Sequence, residues 1–321
     1  MSGHVAVTGA TGFIGRHLTA HLVARGIDVR AIVRPDSPHA APAGTTVVRA
    51  PLVASALEEA FSGADTVVHL AGVVRAVGDD VYTAVNVDGT RAVAEAARAV
   101  AARLIHISSL AAVGPASASA PRSESDPPHP LTPYGKSKLA GEQVVTSVTG
   151  LRWTILRPAA VYGPGDRAML PLFRLATRGI LPLIGPSNAA YTFVHVGDVV
   201  RAIDAAIDAR ADSDTVFVGH PRPVSAREIL EEIRTAVGRP ALLVRVPAPL
   251  GRMAAAASDV VERVIGRPLP LNRRRYSELL AEGFVCRVDR LRDRLGIVAA
   301  IDLREGLAQT VAWYRREGWL K

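Results

Sequence analysis

The first half of the chain alternates between two hydrophobic periods. "HVAVTG" (4–9) is a short β-rich run, and "FIGRHLTAHLVARG" (13–26) carries apolar residues at helical spacing up to a terminal glycine. "DVRAIVR" (28–34) reads as a strand again. "TTVVRA", "ALEEAFSGA", "DTVVHLAG", an Ala-rich helix over about 87–102, "RLIHISS" and "TILRPAAVYG" (154–163) continue the series. Strand and helix in strict alternation predict an α/β fold: a doubly wound parallel sheet with helices on both faces. "TVFVGH" (215–220) is expected to join the same sheet.

Beyond about residue 164 the alternation stops. Proline and glycine become frequent over 163–186 and 219–251, between helical pieces. This predicts a larger lobe from 1–165 and about 190–220, and a smaller, partly interleaved C-terminal lobe from about 166–189 and 221–321. "GPASASAPRSESDPPHP" (114–130) is the most loop-like stretch. In "LGRMAAAASDVVERVIG" (250–266), Leu250, Met253, Ala257, Val260, Val261, Val264 and Ile265 recur at helical spacing. The first reading is a core-facing helix of the smaller lobe. An apolar wall over a substrate is the sharper one, and a membrane-surface or dimer contact the weaker.

Composition narrows the class. A chain of 321 residues, 49% hydrophobic but only 5% aromatic, builds its core from Ala, Val, Leu and Ile, as buried parallel strands do. One cysteine, Cys286, excludes an internal disulfide framework and points to a reducing compartment. No signal-type segment and no long uncharged apolar run is found, so a soluble, cytoplasmic protein is expected. The net charge is +8, yet the arginines are scattered and no nucleic-acid motif accompanies them. The densest group, Arg273-Arg274-Arg275, reads as a solvated helix face. Neither nucleic acid nor a membrane is expected as a partner; a small molecule is.

"VTGATGFIG" places Gly9, Gly12 and Gly15 between a strand and a helix. Glycines at this spacing permit a tight turn and close approach of a pyrophosphate to the helix N-terminus, whose N–H groups and dipole favour an anion. The next strand ends in Arg34, where dinucleotide folds that bind NAD carry a carboxylate. Arginine suits a 2′-phosphate, so NADP(H) is favoured and NAD(H) stays open.

Of the 38 basic side chains only Lys136, Lys138 and Lys321 are lysines. Two of them fall in "PYGKSK". The segment "TPYGKSKLAGEQVV" (132–145) predicts a helix entered through Thr132 and Pro133, with Tyr134 and Lys138 on one face at i, i+4. An ammonium beside a phenol lowers its pKa toward the range where it exchanges a proton with a substrate hydroxyl. Arginine is no substitute for that compact charge. Lys136 points elsewhere. Ser108 and Ser109 stand at the tip of the strand before it.

Together, "TGATGFIG", "DTVVHLAG", "VNVDGT", "ISSLAAVG", "YGKSK", "RPAAVYGPGD" and "FVHVGDVVRAI" span about 5–203 and resemble the extended short-chain dehydrogenase/reductase superfamily. "LREGLAQTVAWYRREGWL" resembles its closing helix. The pattern is nearest the 3β-hydroxysteroid dehydrogenase and dihydroflavonol reductase branch. The resemblance implies a Rossmann domain plus a substrate lobe, with Tyr134 as general acid/base, Lys138 tuning it and holding the nicotinamide ribose, and Ser109 bonding the reacting oxygen. Ser108 is left a structural role. It implies cofactor contacts from Gly9, Thr11, Gly12, Phe13, Ile14, Gly15, Arg34, Leu70, Ala71, Gly72, Tyr134, Lys138 and Pro158. A homodimer is the family's habit.

Three departures from the family's patterns matter. Ala50-Pro51-Leu52 replaces the Gly-Asp-Leu whose Asp contacts adenine. Leu110-Ala111 replaces the Asp-Glu pair of the sugar dehydratases. Tyr191 stands where epimerases often carry a phosphate-holding arginine. Tyr191 and Ser109 are therefore the expected substrate contacts, and the substrate is expected to be rather apolar. The expected activity is NADP(H)-dependent interconversion of a secondary alcohol and a ketone or aldehyde. The alternatives are a sugar-nucleotide epimerase with tightly held NAD and a non-catalytic cofactor-binding subunit. His17 and His21, at i, i+4, lack further ligand signals, and no metal is expected. His195 reads as structural and Asn86 as supporting its helix.

Overall fold

The computed structural model describes residues 3–209 and 213–320. The chain begins β1 (His4–Thr8), α1 (Phe13–Ala24), β2 (Asp28–Val33), β3 (Thr46–Arg49), α2 (Ala54–Phe61) and β4 (Thr66–His69). A single turn, α3 (Asp80–Tyr82), runs through a π-helical segment, Thr83–Asp88, into α4 (Gly89–Ala99). The one long helix expected over 87–102 is thus shorter and enters through a wider turn. Next come β5 (Arg103–Ile107), a 3₁₀ turn at Leu110–Ala112, α5 (Pro133–Ser147) and β6 (Trp153–Pro158).

The expected strand over 154–163 breaks at Ala159. Its second half, β7 (Ala160–Tyr162), pairs elsewhere, with β10, as the chain leaves the main sheet. The remaining elements are α6 (Leu170–Thr177), β8 (Ile180–Leu183), β9 (Ala190–Tyr191), β10 (Phe193–His195), α7 (Val196–Asp208), β11 (Asp214–Val218), β12 (Val224–Ser225), α8 (Ala226–Val237) and β13 (Leu242–Arg245). The last are α9 (Ala248–Ile265), α10 (Arg273–Leu280), β14 (Gly283–Phe284), α11 (Asp289–Leu295) and α12 (Leu303–Arg316).

Seven parallel strands form the central sheet in the order β11-β6-β5-β4-β1-β2-β3. The order reverses between β1 and β4, and it is outside the carboxyl ends of strands at such a reversal that ligands bind in open α/β sheets. Alternate residues feed opposite faces, as the pleat requires. Val5, Val7, Val68, Ile105 and Leu156 enter the core under α1 and α7, while Ala6, Val67, Leu104 and Ile155 enter the core under α2 and α4. A third core, built on Phe173, Ile233, Leu307 and Tyr314, unites α6, α8 and α12. The strand predicted at 215–220 joins the sheet as β11, against β6.

The helix at 250–266 departs from its first reading. α9 buries only Gly251, Ala255 and Glu262. Leu250, Met253, Val260, Val261, Val264 and Ile265 are all exposed.

Candidate active site

Helix α5 begins as its sequence predicts. Thr132 is the N-cap, its hydroxyl accepting the Gly135 N–H at 3.2 Å, and Pro133 occupies the first turn. Gly135 explains the residue after the tyrosine: a Cβ there would lie 2.4 Å from the Ala111 carbonyl oxygen. The absence of that carbon lets α5 press against the turn that follows Ser109. Tyr134 is thereby brought beside the Ser109 side chain, near enough for that hydroxyl to pull the phenol's pKa down. Ser109 Oγ also accepts the Ala111 N–H at 3.1 Å.

One helical turn on, Lys138 is buried and its Nζ donates to the Ile107 carbonyl at 2.7 Å. Lys136, by contrast, is exposed. Burial lowers the Lys138 ammonium to about 8, against the upward pull of the Glu142 carboxylate. Burial pushes the Tyr134 phenol up to about 12, opposed by the Ser109 hydrogen bond and reinforced by Glu278 and Tyr82. The lowering of Tyr134 expected from Lys138 is not what this geometry produces. Lys138 is tied to a strand carbonyl, and its charge bears instead on His69 and His106, both held far below the usual histidine range chiefly by burial.

The glycine turn fits a dinucleotide pyrophosphate. Gly9 has φ +72°, and a Cβ on it would lie 2.6 Å from the Ala71 backbone nitrogen. A Cβ on Gly15 would lie 2.2 Å from the Gly9 oxygen. The turn is therefore closed down against the Leu70-Ala71-Gly72 segment in a way only glycine permits. Gly12 caps α1 without a side chain, so the N–H groups of Phe13, Ile14 and Gly15 open the helix with no intrahelical acceptor. Thr11 lies in the same turn, its carbonyl accepting Arg16 Nε at 3.0 Å.

Arg34 is exposed just past the tip of β2. Arg49, at the tip of β3 and in register with Val33, reaches across it: its Nη1 donates to the Pro35 carbonyl at 3.1 Å and the Arg34 carbonyl at 3.4 Å. The sequence reading missed this second guanidinium, which only the pairing of β2 with β3 reveals. Pro158 ends β6, the strand beside the one that ends before Ser108 and Ser109.

Other side chains reach Tyr134 from distant segments. The Tyr82 and Tyr134 rings lie 6.5 Å apart. Arg274 sits over the Tyr82 ring at 5.9 Å and pairs with Asp79, and Arg275 donates to Glu278 at 2.8 Å. Glu278 accepts in turn from Thr132 at 3.3 Å. The arginine triplet at the start of α10 is thus partly engaged with the site's surroundings rather than wholly solvated. Tyr191 is half-buried on β9 between β12 and β14, with its phenol raised by burial and pulled back by Arg275. No local motif marks Tyr82, Arg274 or Glu278.

The remaining candidates have other employment. His17 meets the Pro164 carbonyl at 2.7 Å and His21 meets Asp204 at 2.8 Å, so the pair diverges. His195 caps α7, its Nδ1 accepting the Gly197 N–H at 3.2 Å. Asn86 does more than support a helix: it takes the Val73 N–H at 2.8 Å and donates to the Val73 carbonyl and to Ser137 Oγ, both at 2.9 Å, bracing the segment after β4 against α5. Ser108, assigned a structural hydroxyl, has a buried Oγ with no hydrogen-bond partner among the described residues.

A parallel seven-stranded sheet, a closed glycine turn at its switch point and a Ser-Tyr-Lys set at the neighbouring strand tips define an NAD(P)-dependent dehydrogenase/reductase of the extended short-chain type. Residues 5–219 match the NAD dependent epimerase/dehydratase family, and the chain belongs to it. It is 34% identical to the "Ceramide reductase" of Caulobacter vibrioides, over 99% of this chain and 96% of that protein. It is 29% identical to the "4-hydroxy-2-methyl-3-oxo-4-farnesyl-3,4-dihydroquinoline-1-oxide ketoreductase" of Stigmatella aurantiaca, over 94% and 93%. Among solved structures, MoeE5 in complex with UDP-glucuronic acid and NAD superposes with a TM-score of 0.79 at 28% identity, over 98% of this chain and all of that one. No helix among the described residues is long and apolar enough to cross a membrane.

Proposed function

We propose that this oxidoreductase uses NADP(H) to interconvert a ketone or aldehyde and a secondary alcohol on a fairly apolar small molecule. The observation that carries the reading is the contact between Ser109 and Tyr134 at the strand tips, one turn from buried Lys138. The seven-stranded sheet would hold the dinucleotide, and segments 166–189 and 221–321 the substrate. When bound, the nicotinamide supplies or accepts the hydride.

The chain's own residues account for the proton. A phenol raised to about 12 is protonated at neutral pH and so can donate to a developing alkoxide. Ser109 holds the carbonyl oxygen, and Tyr134 delivers its proton to that oxygen as negative charge develops. Lys138, one turn further along α5, would hold the nicotinamide ribose. Gly9, Gly12 and Gly15 with the open α1 N–H groups receive the pyrophosphate, and Arg34 with Arg49 faces a 2′-phosphate. The names of two relatives, a ceramide reductase and a ketoreductase acting on a farnesylated ring, support carbonyl reduction on an apolar substrate.

A sugar-nucleotide epimerase with bound NAD is the second reading, favoured by the likeness to MoeE5. Tyr191, where epimerases often carry a phosphate-holding arginine, weighs against it. The test is Tyr134→Phe assayed with NADPH against a panel of apolar ketones. Turnover should fall by about 10²- to 10⁴-fold while NADPH binding, read by fluorescence, holds. Undiminished turnover in that variant would refute the mechanism, and stoichiometric NAD released from the denatured protein would favour the epimerase.

A further inference from the structure

Helix α9 is built the wrong way round for a surface helix. An amphipathic helix on a globular protein turns its apolar stripe to the core and its polar face to water. In α9 the inward positions are Gly251, Ala255 and Glu262, and the apolar residues point out. Leu250, Met253, Val260, Val261 and Val264 fall within one sector of the helical wheel, and Met253 and Val264 are 68% and 81% exposed. Two small residues let the helix lie close on α10: a Cβ at Gly251 would meet the Tyr276 ring at 2.6 Å, and the Tyr276 hydroxyl donates to the Ala248 carbonyl at 3.0 Å.

The charges on this segment are sorted as sharply as the apolar groups. Both carboxylates of α9 are turned in and engaged. Glu262 accepts the Leu269 N–H at 2.6 Å and Asn272 Nδ2 at 3.1 Å, and Asp259 pairs with Arg273 at 3.5 Å. Arg252, Arg263 and Arg267 are exposed, and among the described residues no carboxylate lies within ion-pair distance of them. What remains outside is an apolar stripe from Leu250 to Val264, about 21 Å long at 1.5 Å per residue, with arginines unpaired among the described residues beside it.

We propose that α9 is a membrane-surface helix that lays this protein on an anionic lipid bilayer. A helix with an apolar face and flanking arginines sits in the interface plane, its apolar side among the acyl chains and its cations among anionic headgroups. A second copy of the chain fits less well. A symmetric contact sets each patch against itself, and these arginines would then face arginines. The sequence pattern alone pointed away from a membrane, because helical spacing of apolar residues does not say which way the stripe faces.

The bilayer face lies one helix away from the catalytic tyrosine. α10 packs under α9 through Tyr276, reaches Thr132 at the entrance of α5 through Glu278, and covers Tyr82 with Arg274. An apolar molecule leaving the bilayer at α9 would meet the protein beside Tyr134. Membrane binding itself does not depend on the reductase reading and is measured without turnover.

The experiment is co-sedimentation of the full chain with vesicles of phosphatidylcholine alone, or with a third of the lipid replaced by phosphatidylglycerol. The protein should pellet with the anionic vesicles at low salt, weakly with the neutral ones, and less as salt rises. Val260→Asp/Val264→Asp and, separately, Arg252→Glu/Arg263→Glu should each lower the partition coefficient by about tenfold or more. Both pairs are exposed, so an unchanged thermal melt verifies that each variant is folded. Failure of the unaltered protein to pellet with anionic vesicles at low salt overturns the proposal, as does undiminished binding of the aspartate variant. A dimer in solution that Val260→Asp/Val264→Asp converts to monomer also overturns it, since the face then belongs to a second copy.

Discussion

Arg157 grips Glu142 through two hydrogen bonds, Nε to Oε1 at 2.9 Å and Nη2 to Oε2 at 2.7 Å, with both side chains buried. Glu142 follows Lys138 on α5 by one helical turn, as Lys138 follows Tyr134. Three ionisable groups thus line one face of the helix, with a guanidinium fixing the last. Glu142 sustains the Lys138 charge against burial, and Arg157 holds Glu142 where it does so.

With only three lysines, this chain allows a direct reading. In protein carrying ¹³C-labelled lysine, one resonance should titrate near 8 and vanish in Lys138→Arg. Glu142→Gln should move that titration lower still, and a resonance titrating above 10 would contradict the assigned environment. The linkage sign follows. A lysine whose pKa is lower in the folded state weakens folding fully below about 8, and the penalty is relieved as pH rises from there toward 10.5. Glu142→Gln also leaves Arg157 buried without its counter-charge, which should lower stability by about 3 kcal/mol in a denaturant titration.

His69 and His106 predict an acid limit. Their rings lie 5.4 Å apart beneath Lys138; His69 is held to about 3 and His106 well below its ordinary value. Both stay neutral in the folded state while the unfolded chain protonates them below about 6.5. Stability is therefore lost as pH falls from 6.5 toward 3, at up to about 1.4 kcal/mol per pH unit for each ring. His69 is held between Thr8 and Thr90, but among the described residues neither ring nitrogen of His106 has a partner. His106→Leu should accordingly fold well at pH 7 and shift the acid unfolding midpoint downward. An unchanged midpoint would show that the carboxylates alone set acid stability.

The paired arginines predict cofactor choice. If Arg34 and Arg49 face a 2′-phosphate, Arg34→Ala should raise KM for NADPH by about tenfold or more and leave that for NADH nearly unchanged, the loss of a charged hydrogen bond at one end of the dinucleotide. Arg49→Ala should act in the same direction and also loosen the β2 tip, because its guanidinium holds the Pro35 carbonyl. Equal losses for both cofactors would mean that these groups support the strand end only.

The parts of this molecule that were legible in its sequence are those set by local rules. The alternation of period 2 and period 3.6 places the sheet, the glycines place the turn, and Thr132-Pro133 places the start of α5. What escaped depends on the chain's return from afar. Tyr82 and Glu278 act on Tyr134 from segments nearly 200 residues apart, with Arg274 over the Tyr82 ring, and Arg49 meets Arg34 only because β3 pairs with β2. The Lys138 ammonium was expected to act on its i−4 neighbour, but buried carbonyl oxygen competes for it, and strand β5 supplies one. α9 shows the limit most plainly. Its periodicity fixes a stripe, and only the packing of Gly251 on Tyr276 decides that the stripe faces outward.

Ser108 and Ser109 stand side by side at one strand tip and should behave oppositely. The Ser109 side chain lies beside Tyr134 and accepts the Ala111 N–H at 3.1 Å. Ser109→Ala should lower kcat by about 10²-fold, the usual cost of one oxyanion donor, and should bring Tyr134 still higher by removing the bond that lowers it. The Ser108 hydroxyl is buried without a partner among the described residues, and a buried polar atom left unsatisfied costs about 1–3 kcal/mol. Ser108→Ala removes that cost and keeps the backbone bond from its N–H to the Leu156 carbonyl at 2.7 Å. It should raise the melting temperature and leave turnover unchanged. Thermal melts and initial rates on the two single variants check both halves. A Ser108→Ala enzyme that melts lower and turns over slowly would mean that its hydroxyl finds a partner in the working enzyme and that the two serines share the oxygen.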